Sequence, residues 1–131
     1  MSILLGILIG VFTNEVIESN ERQKTYSQAR MTADSLGKPL LVVGVPKRLR
    51  EAHPGGDVTI DSDLNVDAAM PYQVADVRNI PYSVKYFGAA FISHVLEHMD
   101  TPEDVKLAVD EMYRVADAVF VAGPHKNSII A

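Results

Sequence analysis

A chain of 131 residues with 12 Lys and Arg against 17 Asp and Glu carries a formal net charge of −5. That length suits one domain, and 47% hydrophobic with 22% charged residues is globular composition, which excludes a disordered tail or a collagen-like fibre. The acidic balance leaves no basic stripe to neutralise phosphates, so no nucleic-acid partner is expected. The absence of cysteine excludes disulfides, thiolate catalysis and Cys-based metal sites.

Residues 2–12 read Ser-Ile-Leu-Leu-Gly-Ile-Leu-Ile-Gly-Val-Phe, and no charge appears before Glu15. At 1.5 Å per residue, about fourteen helical residues reach about 21 Å, short of a ~30 Å hydrocarbon core. The basic n-region and small-residue cleavage site of a signal peptide are not evident. Three readings fit: a short membrane anchor, a helix buried against the domain or a partner chain, and an N-terminal strand. The anchor is the first of these, because a run so apolar is unusual beside so small a domain. Localisation is accordingly expected at a membrane, with the cytoplasm as the alternative.

Thr13 to Leu36 contains no Gly or Pro, and Val16, Ile17, Tyr26, Ala29, Met31, Ala33 and Leu36 form a patchy apolar stripe. This predicts a moderately amphipathic helix, stopped by Gly37 and Pro39, which would serve equally as a stalk behind an anchor. The expected division is an apolar segment and helix over 1–37 and an α/β domain over 38–131.

From Pro39 onward short β-rich runs alternate with connections. Leu40-Leu41-Val42-Val43 is continuously apolar, as in a parallel strand covered on both faces. Val58-Thr59-Ile60, Gln73-Val74-Ala75, Ala89-Ala90-Phe91-Ile92 and Val119-Phe120-Val121 are the next candidates. The first three connections are about a dozen residues long, so any crossover helices there are expected to be one or two turns. A longer helix follows Thr101, with Pro102 at its first position and Asp104 completing a capping box. Val105, Ala108, Val109, Met112 and Val115 share one face of it. The pattern is a Rossmann-like open, mostly parallel sheet of about five strands, preceded by an N-terminal helix.

Ligands of such sheets bind outside the carboxyl ends of the strands. Gly44-Val45-Pro46 follows the first strand, Asp61-Ser62-Asp63 the second, Asp76 the third and Ser93-His94 the fourth. Acids at strand ends also serve as ordinary turn residues.

Three runs carry a resemblance: Asp76-Val77-Arg78-Asn79-Ile80-Pro81-Tyr82, then Tyr86 to Met99 with its His94-Val95-Leu96-Glu97-His98, then Glu111-Met112-Tyr113-Arg114-Val115. Together they resemble the class I S-adenosylmethionine-dependent methyltransferases of the compact, type 11-like kind, over roughly residues 39–124. The resemblance implies S-adenosylmethionine as cofactor. It implies Asp61 as the ribose-binding acid with Asp63 as a near rival, Asp76 for the adenine amino group and Val77 along the ring. It places Gly44 in the glycine-rich loop, and Ser93 and His94 beside the methyl donor, with His94 the candidate catalytic residue.

The chain departs from that family in three ways. Gly44-Val45-Pro46 replaces Gly-x-Gly, and a stiffer loop is expected to narrow the cleft. Gly88 replaces the acid of Ser-Phe-Asp. Two further strands usual in the family have no counterpart before Ala131, where Ser128-Ile129-Ile130 supplies at most one short strand. A truncated core with an open edge calls for cover by a partner or by self-association. The same His94 to His98 run spells H-x-x-E-H, an inverted zinc-peptidase signature. No third ligand has the right spacing, and the methyltransferase motif accounts for all five residues without a metal.

Two function classes follow. One is a non-catalytic or cofactor-binding methyltransferase-like subunit of a larger or membrane-associated assembly. The other is an active minimal methyltransferase acting on an unidentified acceptor.

Overall fold

A computed structural model describes residues 10–46 and 53–123, with side chains of the first helix described from residue 21. The apolar run over 2–9 and the Ser128–Ile130 strand expectation lie outside the described residues. Helix α1 spans Gly10–Ser35, followed by β1 Leu40–Val43, β2 Val58–Asp61, β3 Gln73–Val74 and β4 Phe87–Ser93. A 3-10 turn over Leu96–His98, helix α2 Pro102–Val115 and β5 Ala116–Ala122 complete the order. The strands form one all-parallel sheet in the order β3-β2-β1-β4-β5.

Burial follows position in that order. The inner strands β1 and β4 are buried at every residue, β3 at one edge is exposed, and β5 at the other is half-buried through its middle. Such double-sided cover explains the unbroken apolar run of β1. One face carries Leu41, Val43, Ala90 and Ile92 against Ala108, Met112 and Val115 of α2. The opposite face carries Leu40, Val42, Ala89 and Phe91 against Ala29 and Ala33 of α1.

Helix α1 holds the sheet through four places on one side of the helix. Arg22 Nη1 meets His94, the Tyr26 hydroxyl donates to Gly55 O at 2.7 Å, and Arg30 Nη2 donates to Asp57 at 2.6 Å. Ala33 is the fourth, with its backbone against Gly88. The Arg30 guanidinium holds the Asp57 carboxyl below its ordinary range, helped by Leu40 N–H, which donates to the same oxygen group. Met31 and Leu36, expected in the apolar stripe, are instead exposed, because the contact side runs through 22, 26, 29 and 33. The helix ends as expected at Gly37, with Gly37 N donating to Asp34 O and Lys38 N to Ala33 O.

Two expectations need correcting. The described connections between β2 and β3 and between β3 and β4 consist of turns, not short helices. In the second of these, Val77 and Ile80 enter the core from a turn, which removes the need for a helix to cover that face. The capping box of α2 is only half made. Thr101 accepts from Asp104 N at 3.1 Å, but the Asp104 carboxylate is taken by Arg78 Nη1 at 3.1 Å.

The Ile80 turn is clamped from α2. Glu111 Oε2 accepts Ile80 N at 2.7 Å, Arg114 Nη2 donates to Ile80 O at 2.8 Å, and the two side chains pair with each other. Two of the runs that carried the resemblance are therefore joined by a structural contact. Glu111→Ala is expected to cost about 2 kcal/mol, since it leaves the part-buried Ile80 N–H without its charged acceptor. Chemical denaturation of the variant beside Glu111→Gln, which keeps an acceptor, checks this.

Candidate functional site

A cleft of about 300 Å³ lies at the carboxyl ends of β1, β2 and β3, bounded opposite by the turn after β4 and the start of α2. That volume is at the lower end for small-molecule pockets, about 300–1,000 Å³. Gly44, Asp61, Asp76 and Val77 all line it.

Gly44 has φ of 95°, in the left-handed region that a side chain would strain. A Cβ there would also stand 2.9 Å from Val95 Cγ2. Gly44 therefore lets the β1 exit turn pass beneath Val95, and the cleft persists despite Val45 and Pro46.

The Asp61 carboxylate is fixed by two backbone donors. Val45 N donates to Oδ2 at 2.9 Å and Asp63 N to Oδ1 at 2.9 Å. Each carboxylate oxygen has two lone pairs, so one on each oxygen stays available for a second donor. Vicinal hydroxyls of a ribose are such a pair of donors. Asp63 does not line the cleft; its Oδ1 accepts Asn65 N within its own loop.

Asp76 is differently placed. Arg78 Nε and Nη2 grip both of its oxygens at 2.6–3.2 Å, and Arg78 N adds a bond to Oδ1 at 2.8 Å. The guanidinium holds the Asp76 carboxyl below its usual range, so it is an anion at neutral pH. An adenine amino group would have to share that carboxylate with Arg78. Val77, buried beside it, presents apolar surface to the cleft.

Ser93 and His94 do not line this cleft, and His94 meets Arg22 of α1. Ser93 is nine-tenths buried, and its Oγ has no hydrogen-bond partner among the described residues. His94 has φ of 58°, sparsely used by non-glycine residues. Its Nδ1 lies 2.9 Å from Glu97 Oε2 and its Nε2 lies 3.0 Å from Arg22 Nη1. A guanidinium only donates, so Nε2 accepts and Nδ1 carries the proton toward Glu97. The His94 lone pair is thereby occupied by a buried arginine. The 3-10 turn covers only Leu96–His98 and His94 precedes it with a positive φ, so the two histidines do not share a helical face. Among the described residues no cluster of three His, Asp or Glu side chains is arranged to hold a metal.

A family model described as a methyltransferase domain matches residues 50–118, just over half of the chain. The chain belongs to that methyltransferase-domain family. The match runs from before β2 into β5, so it takes in Asp61, Asp76, His94, Glu111 and Arg114. It leaves out α1, β1 and Gly44. No curated protein and no solved structure matches the chain significantly.

Among the residues to which the sequence assigned no site role are Arg22, Arg78, Val95 and Asp104. Arg78, Val95 and Asp104 line the cleft of this methyltransferase domain, and Arg22 meets His94 from α1. Arg78 stands two residues after an expected site acid, a spacing that already permits the local turn and bridge. Nothing in the sequence joins Arg22 to His94, 72 residues away.

Proposed function

We propose that this chain is a cofactor-binding but catalytically silent methyltransferase-like domain, acting as a subunit of a membrane-associated assembly. The observation that carries the reading is a contrast between the two halves of the site. Asp61 is oriented by Val45 N and Asp63 N with acceptor capacity left over, while the His94 lone pair is closed off by Arg22.

The residues present fit the ribose end of S-adenosylmethionine best. Gly44 supplies a turn without a Cβ, Asp61 two oriented oxygens, and Val77 an apolar wall. When bound, the cofactor supplies an electrophilic methyl group. The chain's own contribution is to hold and orient it, and the Arg22–His94 contact keeps a base from the acceptor side. The retained cleft and His94 favour the second reading, an active minimal methyltransferase in which α1 moves and frees His94.

Calorimetric titration with S-adenosylhomocysteine tests the cofactor. Binding is expected, and Asp61→Asn is expected to weaken it about 10–100-fold, the loss of one or two charge-assisted hydrogen bonds. No binding by the intact chain, or binding indifferent to Asp61→Asn in a variant with normal melting, overturns the assignment. Transfer of a labelled methyl group to heat-treated membranes, lost with Asp61→Asn, would overturn the silent reading in favour of the enzyme.

A further inference from the structure

We propose that Arg78 sets the base specificity of the cleft, so that its Asp76 end takes a 6-oxo purine as readily as adenine. This rests on the cofactor reading above and adds the class of nucleoside that the site accepts. Asp76, Arg78 and Asp104 all line the cleft, and Arg78 joins the turn after β3 to the start of α2.

The hydrogen bonds at this pair decide what it can offer a ligand. Oδ1 of Asp76 is filled, accepting Arg78 N at 2.8 Å and Nε at 3.0 Å. Oδ2 accepts Nη2 at 2.6 Å and only the longer share of Nε, at 3.2 Å, so one lone pair remains on it. Nη1 donates one N–H to Asp104 at 3.1 Å. Each terminal nitrogen of Arg78 therefore keeps one N–H without an acceptor among the described residues. Side-chain exposures of 43% for Arg78 and 41% for Asp76 leave these groups open to a ligand.

A free acceptor on Oδ2 thus stands 2.6 Å from a nitrogen with a spare N–H. Adenine meets that pair with its amino group as donor and a ring nitrogen as acceptor. A 6-oxo purine meets it equally, with N1–H donating to Oδ2 and O6 accepting from Nη2. A carboxylate alone would discriminate, because O6 beside an uncompensated anion is repelled and finds no donor. Arg78 supplies both the donor and the compensating charge. Val77, buried beside the pair, offers an apolar contact that any purine ring satisfies.

S-adenosylhomocysteine and S-inosylhomocysteine differ only in the amino or oxo group of the base, which makes them the probes. Calorimetric titration of the full chain is expected to give affinities within about tenfold of each other. Arg78→Leu, at an exposed position, is expected to weaken S-inosylhomocysteine about 10–100-fold relative to S-adenosylhomocysteine, the loss of one charge-assisted hydrogen bond. Arg78→Lys, which keeps the charge without the planar fork, is expected to fall between. A preference above about tenfold for S-adenosylhomocysteine in the intact chain overturns the proposal and leaves the cofactor reading standing. A ratio of the two affinities unmoved by Arg78→Leu in a variant that melts normally does the same. Should Arg78→Leu fail to fold, the ratio in Arg78→Lys carries the same test. Binding of neither probe overturns the cofactor reading and this one together.

Discussion

Gly88→Asp, which places at this position the acid that the resemblance implies, is expected to cost at least about 3 kcal/mol. The Cβ alone would stand 2.8 Å from Ala33 Cα, 3.2 Å from Lys38 Cβ and 3.3 Å from Ala33 O. Two of those atoms are helix backbone, so no side chain can swing aside. Helix α1 must lift or β4 must shift, and β4 is buried at all seven residues. Gly88→Ala isolates this clash at about 1–3 kcal/mol. The aspartate adds a carboxylate facing the Ala33 carbonyl in a buried position. A lifted α1 also loosens Arg30 from Asp57 and Tyr26 from Gly55. Against a total of about 5–15 kcal/mol for a domain, the aspartate variant should melt far earlier or fail to fold. Thermal melts of both variants decide it. An unchanged transition in Gly88→Ala would show that α1 does not approach β4 so closely.

Gly88 also marks where sequence reasoning stopped. Read along the chain, it is a lost acid; in three dimensions it is the notch that admits a helix backbone. The sheet itself was legible because its signal is physical and local. A four-residue apolar run such as Leu40–Val43 has few alternatives to a central parallel strand, and α2 declares itself through Thr101, Pro102 and a helical stripe. Helix α1 was legible as a helix but not as a wall of the fold. Its contact side is made of Arg22, Tyr26, Ala29 and Ala33, two polar-tipped and two small residues, so no strong apolar stripe exists to be read. The site divided the same way. Gly44, Asp61, Asp76 and Val77 meet around one cleft because strand ends converge by topology. Asp63 turns into its own loop, and the Arg78 grip on Asp76 and the Arg22 contact to His94 depend on side-chain geometry that spacing does not encode.

Acid is expected to weaken the fold first through His53, well before the carboxylates titrate. The imidazole stacks on Tyr26 at 5.1 Å, meets Phe91 edge-on at 5.0 Å, and accepts Gly55 N through Nδ1 at 3.2 Å. Burial, with the charge of Arg22 nearby, pulls its pKa down to about 4. An unfolded histidine titrates near 6.5. Above that value both states hold a neutral ring, and the full stability is present. As pH falls from about 6.5 toward 4, the unfolded chain takes a proton that the folded chain refuses, and about 2–3 kcal/mol is lost. Asp57, Asp76 and Glu111, each held below the ordinary range by an arginine, add their losses only below about pH 4. Urea midpoints of the intact chain should therefore fall between pH 6.5 and 4.5. His53→Phe keeps the ring contacts and loses the Gly55 bond, at a cost of about 1 kcal/mol at neutral pH. Its midpoint should stay level over the same interval and fall only below about pH 4. Parallel curves for the two proteins would show that His53 is not the group that titrates.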